Sequence, residues 1–441
     1  MLSPDTILRA EPQYYETYAV FNCKRVTTEF LTSEEYKALE SICQAPDELA
    51  SISSKSGMTY RECEKFMKKM MQLGYVQFGL DYLRDKPVRK FEVNRELYTV
   101  FPIPFLSAPM SVDIFITNQC NLKCVHCFSS RDEQKVSQLS LKELQSIFDQ
   151  LEMMGVFEVR ITGGEPLQHP DIYEILRTLR ARRFRKVILT NGTMLNEKIV
   201  GMLKESGIIP TVSLDDSRAK EHDFFRGSEG SFERTIKALD LLREFQVQYG
   251  INCCLHKRNI RRCAEIIEFG IRNGAYRIAF LDLKPVGRMK NNIDWVPSRK
   301  EYEESLVNLT LMRFKYRGKI DVSLDALLEC RPLRESIAEA KRGYVSCHAG
   351  KTRMAIDSSG SIYPCNVVIS DPKWNMGNIR REEIQSVWFS SKWLFFRGGV
   401  KINDLKDCRK CRKLRTCSYF YCRLLPYVEN DDELSSSSKC K

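Results

Sequence analysis

The stretch Cys120-Asn121-Leu122-Lys123-Cys124-Val125-His126-Cys127 decides how the rest of the chain is read. Three cysteines at x3 and x2 spacing close on three irons of one [4Fe-4S] cluster, because cysteine thiolates are the ordinary ligands of such clusters. The fourth iron is then left without a protein ligand. A zinc knuckle or packing cysteines are the competing assignments. Zinc calls for a fourth Cys or His at short spacing, and His126 would have to supply it from a crowded position between two cysteines. Ser111 to Thr117, a β-branched run, reads as a strand, so the cysteines occupy the loop leaving its C-terminal end. In barrels of alternating strands and helices that end carries the active site.

A second segment follows one strand later. Val156 to Thr162 leads into Gly163-Gly164-Glu165-Pro166. Paired glycines permit close backbone approach to a ligand, and a carboxylate beside exposed backbone groups can hold an ammonium. Either segment alone would be weak, since Gly-Gly-Glu-Pro can be an ordinary turn. In this order they resemble the C-x3-C-x-Φ-C and GGEP motifs of the radical S-adenosylmethionine (radical SAM) enzymes, with His126 in the aromatic slot. The resemblance implies that Gly163, Gly164 and Glu165 hold the methionine amino group of S-adenosylmethionine and that His126 borders the same cofactor. Further on, Ser213-Leu214-Asp215-Asp216, His222-Asp223 and Arg226-Gly227 resemble the family's Ser-x-Asp-Gly, His-Asp and Arg-Gly run. Carried over, Ser213 meets the ribose and Arg226 the carboxylate. Asp216 departs from the usual glycine. The plainer alternatives are that Ser213 only caps, Asp215 only accepts backbone N–H bonds, and His222 is a surface histidine. No acid or base is assigned.

The chain has 441 residues, enough for two or three domains. With 43% hydrophobic and 10% aromatic residues it has a globular composition. No apolar window approaches a membrane span and the N-terminus lacks a signal pattern, so a soluble cytoplasmic protein is expected. Seventeen cysteines in a chain of this kind speak for metal ligation rather than disulfides. The formal charge of +12 is spread without a long basic block; an acidic peptide accounts for it as well as nucleic acid does.

Residues 1–95 carry no metal signature. Tyr14 to Phe21 and Arg25 to Phe30 read as strands, followed by helices from Thr32 or Ser33 to Ile42, around Pro46 to Ser54, and after a Thr59/Glu62 capping box. This is a small winged-helix pattern. Winged helices read DNA, and Lys65, Lys68 and Lys69 would serve that. Ahead of a radical SAM core, however, the pattern resembles the RiPP recognition element, where a leader peptide adds a strand to a sheet edge. Residues 96–110, with Pro102, Pro104 and Pro109, read as a linker. Residues 111–286 form six strand–helix units, an α/β, partial (β/α)6 TIM-like barrel with a wide lateral mouth. Residues 287–346 form a helical bridge holding an isolated Cys330. Cys23, Cys43, Cys63, Cys253, Cys254 and Cys263 read as packing thiols.

Residues 347–441 hold Cys347, Gly360, Cys365, Cys408, Cys411, Cys417, Cys422 and Cys440. A zinc ribbon would explain only Cys408 and Cys411. The seven cysteines in this order resemble the SPASM extension, which implies an outer auxiliary cluster on Cys408, Cys411, Cys417 and Cys440 and an inner one on Cys347, Cys365 and Cys422. Two departures stand: four residues separate Cys417 from Cys422 where three are usual, and the inner set lacks a fourth cysteine, leaving Cys330 or substrate for that place.

Taken together, the resemblance implies S-adenosylmethionine and three [4Fe-4S] clusters serving a 5′-deoxyadenosyl radical reaction, with the protein supplying position and electrostatics. The expected partners are a precursor peptide with a leader sequence and an electron donor such as flavodoxin or ferredoxin, with neither nucleic acid nor membrane. The expected product is a thioether or carbon–carbon crosslink. A sulfatase-maturase-type or other SPASM oxidoreductase is the alternative. An iron-sulfur DNA-binding redox sensor would leave the Gly-Gly-Glu-Pro and Ser213 segments unexplained. Replacing Cys440 by alanine is expected to lower bound iron by about four atoms per chain; unchanged iron content would refute the outer ligand set.

Overall fold

The computed structural model describes residues 6–11, 17–22, 27–44, 49–73, 76, 90–91, 101–102, 105–128, 137–324, 340–345, 347–412, 414 and 422–436. Near the N-terminus, β1 (Thr6–Glu11), β2 (Thr17–Asn22), β3 (Thr27–Leu31) and β4 (Lys90–Phe91) form a sheet in the order β3-β2-β1-β4. The β1–β4 pair is parallel and the others antiparallel. Three helices accompany it: α1 (Ser33–Gln44), α2 (Leu49–Ser56) and α3 (Tyr60–Gln72). Tyr36, Leu39 and Ile42 of α1, Ile52 of α2, and Cys63, Phe66, Met67 and Met70 of α3 share one core, as spacings of three and four require. Thr32 with Glu35, and Thr59 with Glu62, close reciprocal capping boxes at the helix starts. Strand β1 was not expected from sequence. Arg9 and Glu11 blur the alternation of β1, which is fixed by pairing with β2 rather than by pattern.

From Ser111 the chain alternates. Strands β5 (Ser111–Phe115), β6 (Glu158–Thr162), β7 (Arg185–Thr190), β8 (Ile208–Ser213), β9 (Gly250–Leu255), β10 (Arg277–Asp282) and β11 (Asp321–Ser323) pair in parallel in chain order. Between them run α4 (Leu141–Met153), α5 (Ile172–Arg180), α6 (Glu197–Ser206), α7 (Ala219–Arg226), α8 (Ser231–Glu244), α9 (Cys263–Arg272) and α10 (Arg299–Lys315). Parallel strands need such crossovers. Ser140 and Ser298 cap α4 and α10 with full capping boxes.

The sheet does not stop at β5. In the C-terminal region β12 (Arg353–Ile356) pairs in parallel with β5, and β13 (Ser361–Tyr363) and β14 (Gly377–Asn378) follow antiparallel. The result is a ten-stranded open sheet in the order β11-β10-β9-β8-β7-β6-β5-β12-β13-β14. Helices α11 (Ile384–Trp388) and α12 (Leu424–Asn430) follow, and short 3-10 helices such as Gly287–Trp295 lie between the named elements.

Three expectations change here. A seventh parallel strand, β11, lies inside the segment read as a bridge, and β12 ties the C-terminal region to the barrel sheet; strands of three and four residues are too short to reveal a period of two. The stretch read as a linker is packed: Phe101, Phe105, Leu106 and Ala108 are buried, Phe105 sits edge-on to Trp388 and Phe389, and Leu106 O accepts from Trp388 Nε1 at 2.8 Å. The core is accordingly continuous from α4 and α5 through β5 to Trp388 and Trp393. The helix expected over 326–341 lies almost wholly outside the described residues. Among those described, no helix is long and apolar enough to cross a membrane. Trp388→Ala, which empties a fully buried ring site at this seam and strands Leu106 O, is expected to cost about 3–5 kcal/mol. A thermal melt that moves by less than a degree would contradict the shared core.

Candidate active site at the strand ends

The C-terminal ends of β5 to β10 surround a cavity of about 310 Å³. Its first wall is the loop after β5, carrying Cys120, Cys124 and Cys127. This loop is held at both ends by backbone. Gly164 N donates to Thr117 O at 2.8 Å and Glu165 N to Gln119 O at 2.6 Å, so the segment after β6 lies on the loop's entry. Val125 N donates to Phe225 O at 2.9 Å and Arg288 N to Cys127 O at 3.0 Å, which fixes its exit. No Cβ fits at Gly164: it would meet Gln119 O at 2.0 Å. That contact, rather than any left-handed backbone, is why glycine stands there.

The donor set suits a cluster. All three cysteines line the cavity. Desolvation by the surrounding cavity wall pushes the Cys120 thiol up to about 12 although the residue keeps an exposed face, and burial raises that of Cys124. Thiols so placed give up their protons at neutral pH when a metal takes the proton's place.

The second wall comes from β6 and β7. Glu165, 1% exposed, accepts from Thr190 Oγ1 at 2.6 Å, Asn191 N at 2.8 Å and Leu167 N at 3.2 Å. Burial outweighs these neutral donors and pushes its carboxyl up to about 7. A carboxylate in this state gains from a cation at the cavity, as an ammonium would provide. Thr190 and Asn191 were not singled out from sequence. Asn191 also reaches Asn121 Oδ1 at 2.9 Å, linking this wall to the cysteine loop.

The third wall is β8 with α7. Ser213 ends β8 and lines the cavity. Arg226, also lining it, sets Nε 2.6 Å from Asp215 Oδ2 and Nη1 3.9 Å from Cys124 Sγ. Burial would raise the Asp215 carboxyl, but the Arg226 guanidinium wins and holds it below the usual range. Part of Arg226 is thus committed to Asp215, and any bound carboxylate must meet its remaining N–H groups. Asp216 does what a glycine would not: Oδ1 accepts from Arg218 N at 3.1 Å and Oδ2 pairs with Arg262. Asp216 is not among the residues with positive φ, so the turn there does not require glycine. His222 is buried rather than a surface histidine, and burial pushes it down to about 4.

His126 lines the cavity with its ring stacked on Phe225, centroids 4.2 Å apart and planes 7° apart. Among the described residues its Nδ1 has no hydrogen-bond partner, leaving one polar atom for a ligand. Donor atoms of His126, Asp215 and Cys254 lie within 4.8 Å of one another, but the Arg226 pair occupies the carboxylate that a metal would use. Cys254, read as a packing thiol, in fact lines the cavity. Sequence reading also missed Asp113 and Arg160, a cross-strand pair of β5 and β6 at 2.5 Å facing the same space. A charged residue in an otherwise apolar strand was the available signal.

The last wall belongs to the C-terminal region: Asn366 and Val367, directly after Cys365, line the cavity. Cys347, Cys365 and Cys422 come together there. Burial and then the neighbouring Cys422 and Cys365 raise the Cys347 thiol, and all three pack on the main core. Cys408 and Cys411 sit on a separate turn, Cys411 N donating to Cys408 O at 3.0 Å. Cys417, Cys440 and Cys330 lie outside the described residues. The chain near the C-terminus returns to that turn: Lys406 N donates to Leu434 O at 3.0 Å and Ser436 Oγ to Asp407 Oδ2 at 3.0 Å.

Comparison with known proteins agrees with this layout. Residues 114–270 match the model of the radical SAM superfamily, and residues 347–412 match that of SPASM, an iron-sulfur cluster-binding domain. Among relatives, the mycofactocin maturase MftC of Mycobacterium ulcerans is 30% identical over 315 residues, 71% of this chain and 82% of the relative. The AdoMet-dependent heme synthase of Methanosarcina barkeri is 28% identical over 357 residues, 77% of this chain and 98% of the relative. Among solved structures, Streptococcus suis SuiB bound to S-adenosylmethionine superposes with a TM-score of 0.71 at 20% identity, covering 100% of both chains. SuiB bound to its precursor peptide SuiA gives 0.73 at 19% identity, covering 100% of this chain and 99% of that one. At such identity the likeness is one of fold.

Glu165→Gln keeps the shape and removes the charge, so S-adenosylmethionine is expected to bind roughly ten- to a hundredfold more weakly, measured by titration calorimetry on cluster-loaded protein. Because an ammonium favours the ionised carboxylate, wild-type affinity should rise as pH passes upward through about 7, and the variant's should not. Equal affinities at pH 8 would show that Glu165 does not face the amino group.

Proposed function

Because the chain belongs to the radical SAM superfamily and carries a SPASM iron-sulfur domain, we propose that it crosslinks a ribosomally made precursor peptide through a thioether or carbon–carbon bond. When bound, the cluster and S-adenosylmethionine supply a 5′-deoxyadenosyl radical that takes hydrogen from an unactivated C–H bond. Cys120, Cys124 and Cys127 hold the cluster. Gly163, Gly164 and Glu165 seat the methionine amino group, Ser213 the ribose, Arg226 the carboxylate, and His126 offers its ring edge and Nδ1 to the same ligand. Cys347, Cys365 and Cys422 hold an inner auxiliary cluster, and Cys408, Cys411, Cys417 and Cys440 an outer one, for three [4Fe-4S] clusters in all. The return of residues 434–436 to Lys406 and Asp407, just ahead of Cys408, supports that outer set.

The observation that carries the peptide reading is the N-terminal unit. Among the described residues its sheet order leaves β3 at an edge, where a leader can add a strand and where backbone hydrogen bonds supply affinity. SuiB, whose solved structure holds its precursor peptide SuiA, shares this fold over the full length of the present chain. The heme synthase and the maturase MftC each leave part of this chain without a counterpart, whereas the SuiB fold covers all of it. In this reading the protein works in the cytoplasm, a flavodoxin or ferredoxin supplies electrons, and no nucleic acid is involved.

Reduced, anaerobic protein with S-adenosylmethionine is expected to release 5′-deoxyadenosine. Co-expression with a short Cys-containing peptide encoded beside the gene is expected to yield a product lighter by the hydrogens lost on crosslinking, read by mass spectrometry. Deoxyadenosine without any peptide mass change would leave the radical chemistry standing and defeat the peptide assignment.

A further inference from the structure

The cavity, at about 310 Å³, admits small molecules and peptide side chains but not a second protein. An electron from a protein donor therefore reaches the cysteine loop either where Cys120 is itself exposed or through the protein wall around the loop. On one side that wall is a stack of rings. His126, between Cys124 and Cys127, stacks on Phe225; Phe225 meets Trp295 at 5.7 Å, and Trp295 stacks on Phe224 at 5.4 Å and 16°. Phe225 is fully buried with Leu283 and Met289, and Val125 of the loop packs on the same cluster. Phe224, at the other end, is 54% exposed. Three ring-to-ring steps, none longer than 5.7 Å, thus lead from the cysteine loop to solvent.

The outer end is basic. Arg258 lies over the Trp295 ring at 4.3 Å and the Phe224 ring at 5.2 Å. Lys257, whose N–H donates to Trp295 O, is exposed, as are Arg261 and, one turn before Phe224 on α7, Lys220. Acids are present but engaged or fewer: Glu221 faces Arg258 at 3.8 Å, Glu301 holds the Ser298 cap near Lys257 and Arg261, and Asp294 is exposed beside Trp295. An exposed Phe224 stacked on a half-buried Trp295 and ringed by cations matches an acidic protein surface with an apolar centre.

We propose that Phe224, Trp295 and Arg258, with Lys220, Lys257 and Arg261 around them, form the docking surface for a small acidic one-electron carrier protein, a flavodoxin-type or ferredoxin-type donor. The ring stack behind them is its route to the cluster loop. The inference rests on the radical reading above and adds the place where that reading's electron enters. Each encounter moves one electron: the carrier's flavin or iron-sulfur centre is oxidised by one, the cluster is reduced by one, and no bond or proton changes place.

The test is the double variant Lys257→Glu with Arg258→Glu, probed with a fluorescently labelled bacterial flavodoxin. Anisotropy on both cluster-loaded and cluster-free protein should show affinity at least about tenfold weaker than wild type at low salt. The gap should close towards 1 M salt, where screening acts within about 3 Å. In stopped flow, bleaching of the cluster by reduced flavodoxin should slow by a similar factor while bleaching by dithionite keeps its wild-type rate. Unchanged flavodoxin affinity would overturn the docking surface. So would a variant that dithionite also fails to reduce, since the fault would then lie in the cluster site. Wild-type protein that yields no deoxyadenosine with dithionite would instead sink the radical reading, and the anisotropy comparison would still decide the patch.

Discussion

Backbone contact around residues 117–128 is the constraint on which the site depends. Built Cβ atoms would meet Thr117 O at 2.4 Å from Gly163, Gln119 O at 2.0 Å from Gly164, Lys123 O at 2.3 Å from Gly227 and Cys127 O at 2.3 Å from Gly287. Segments that follow β6, α7 and β10 therefore all rest on the cysteine loop with no side chain between. A loop clamped this way cannot slide relative to Glu165 or Arg226, and a site that is already in place loses little freedom when its ligands arrive. The clamp also explains why motifs far apart in sequence act together. Gly-Gly-Glu-Pro places its carboxylate by touching the cysteine loop, and Arg226-Gly227 places its guanidinium in the same way.

Two buried carboxylates show how that fixed frame sorts charge. Asp215 is paired with Arg226 and stays ionised below its usual range. Glu165 is surrounded by the neutral donors of Thr190, Asn191 and Leu167, and burial lifts it to about 7. One pair of like groups, pushed in opposite directions, is a recurring mark of a site with separate roles for each. The Asp215–Arg226 pair supports the loop through Cys124, whereas Glu165 presents its charge to whatever enters the cavity.

Features carried by local pattern were legible in the sequence: the cysteine spacing, the paired glycines, the capping box at Thr59, and the strand–helix alternation. Features set by tertiary contact were not. Asp113 and Arg160 are remote in sequence and meet only because β5 and β6 pair in that register. Thr190 and Asn191 matter through Glu165, and Gly287 through Cys127, so none announces itself. Helix α7 was not read from sequence, since His222, Phe225 and Arg226 face inward for packing and ion pairing rather than as an apolar stripe. Asp216, read as a departure, turned out to be satisfied by Arg218 and Arg262.

The pairing of β12 with β5 joins the two halves of the chemistry. Ile356 lies opposite Ile114; from there β5 runs directly into the loop of Cys120, while β12 turns through β13 to reach Cys365 two residues past Tyr363. Two adjacent strands thus set the separation between the cysteines at the cavity wall and those of the C-terminal region. Asn366 and Val367 then bring the C-terminal region to the cavity itself. A molecule held there touches both regions at once, and the distance between the two cysteine sets is fixed by sheet hydrogen bonds rather than by a hinge between domains. That arrangement requires the continuous core through Phe105, Trp388 and Trp393, because a seam free to open would let the two cysteine sets drift apart.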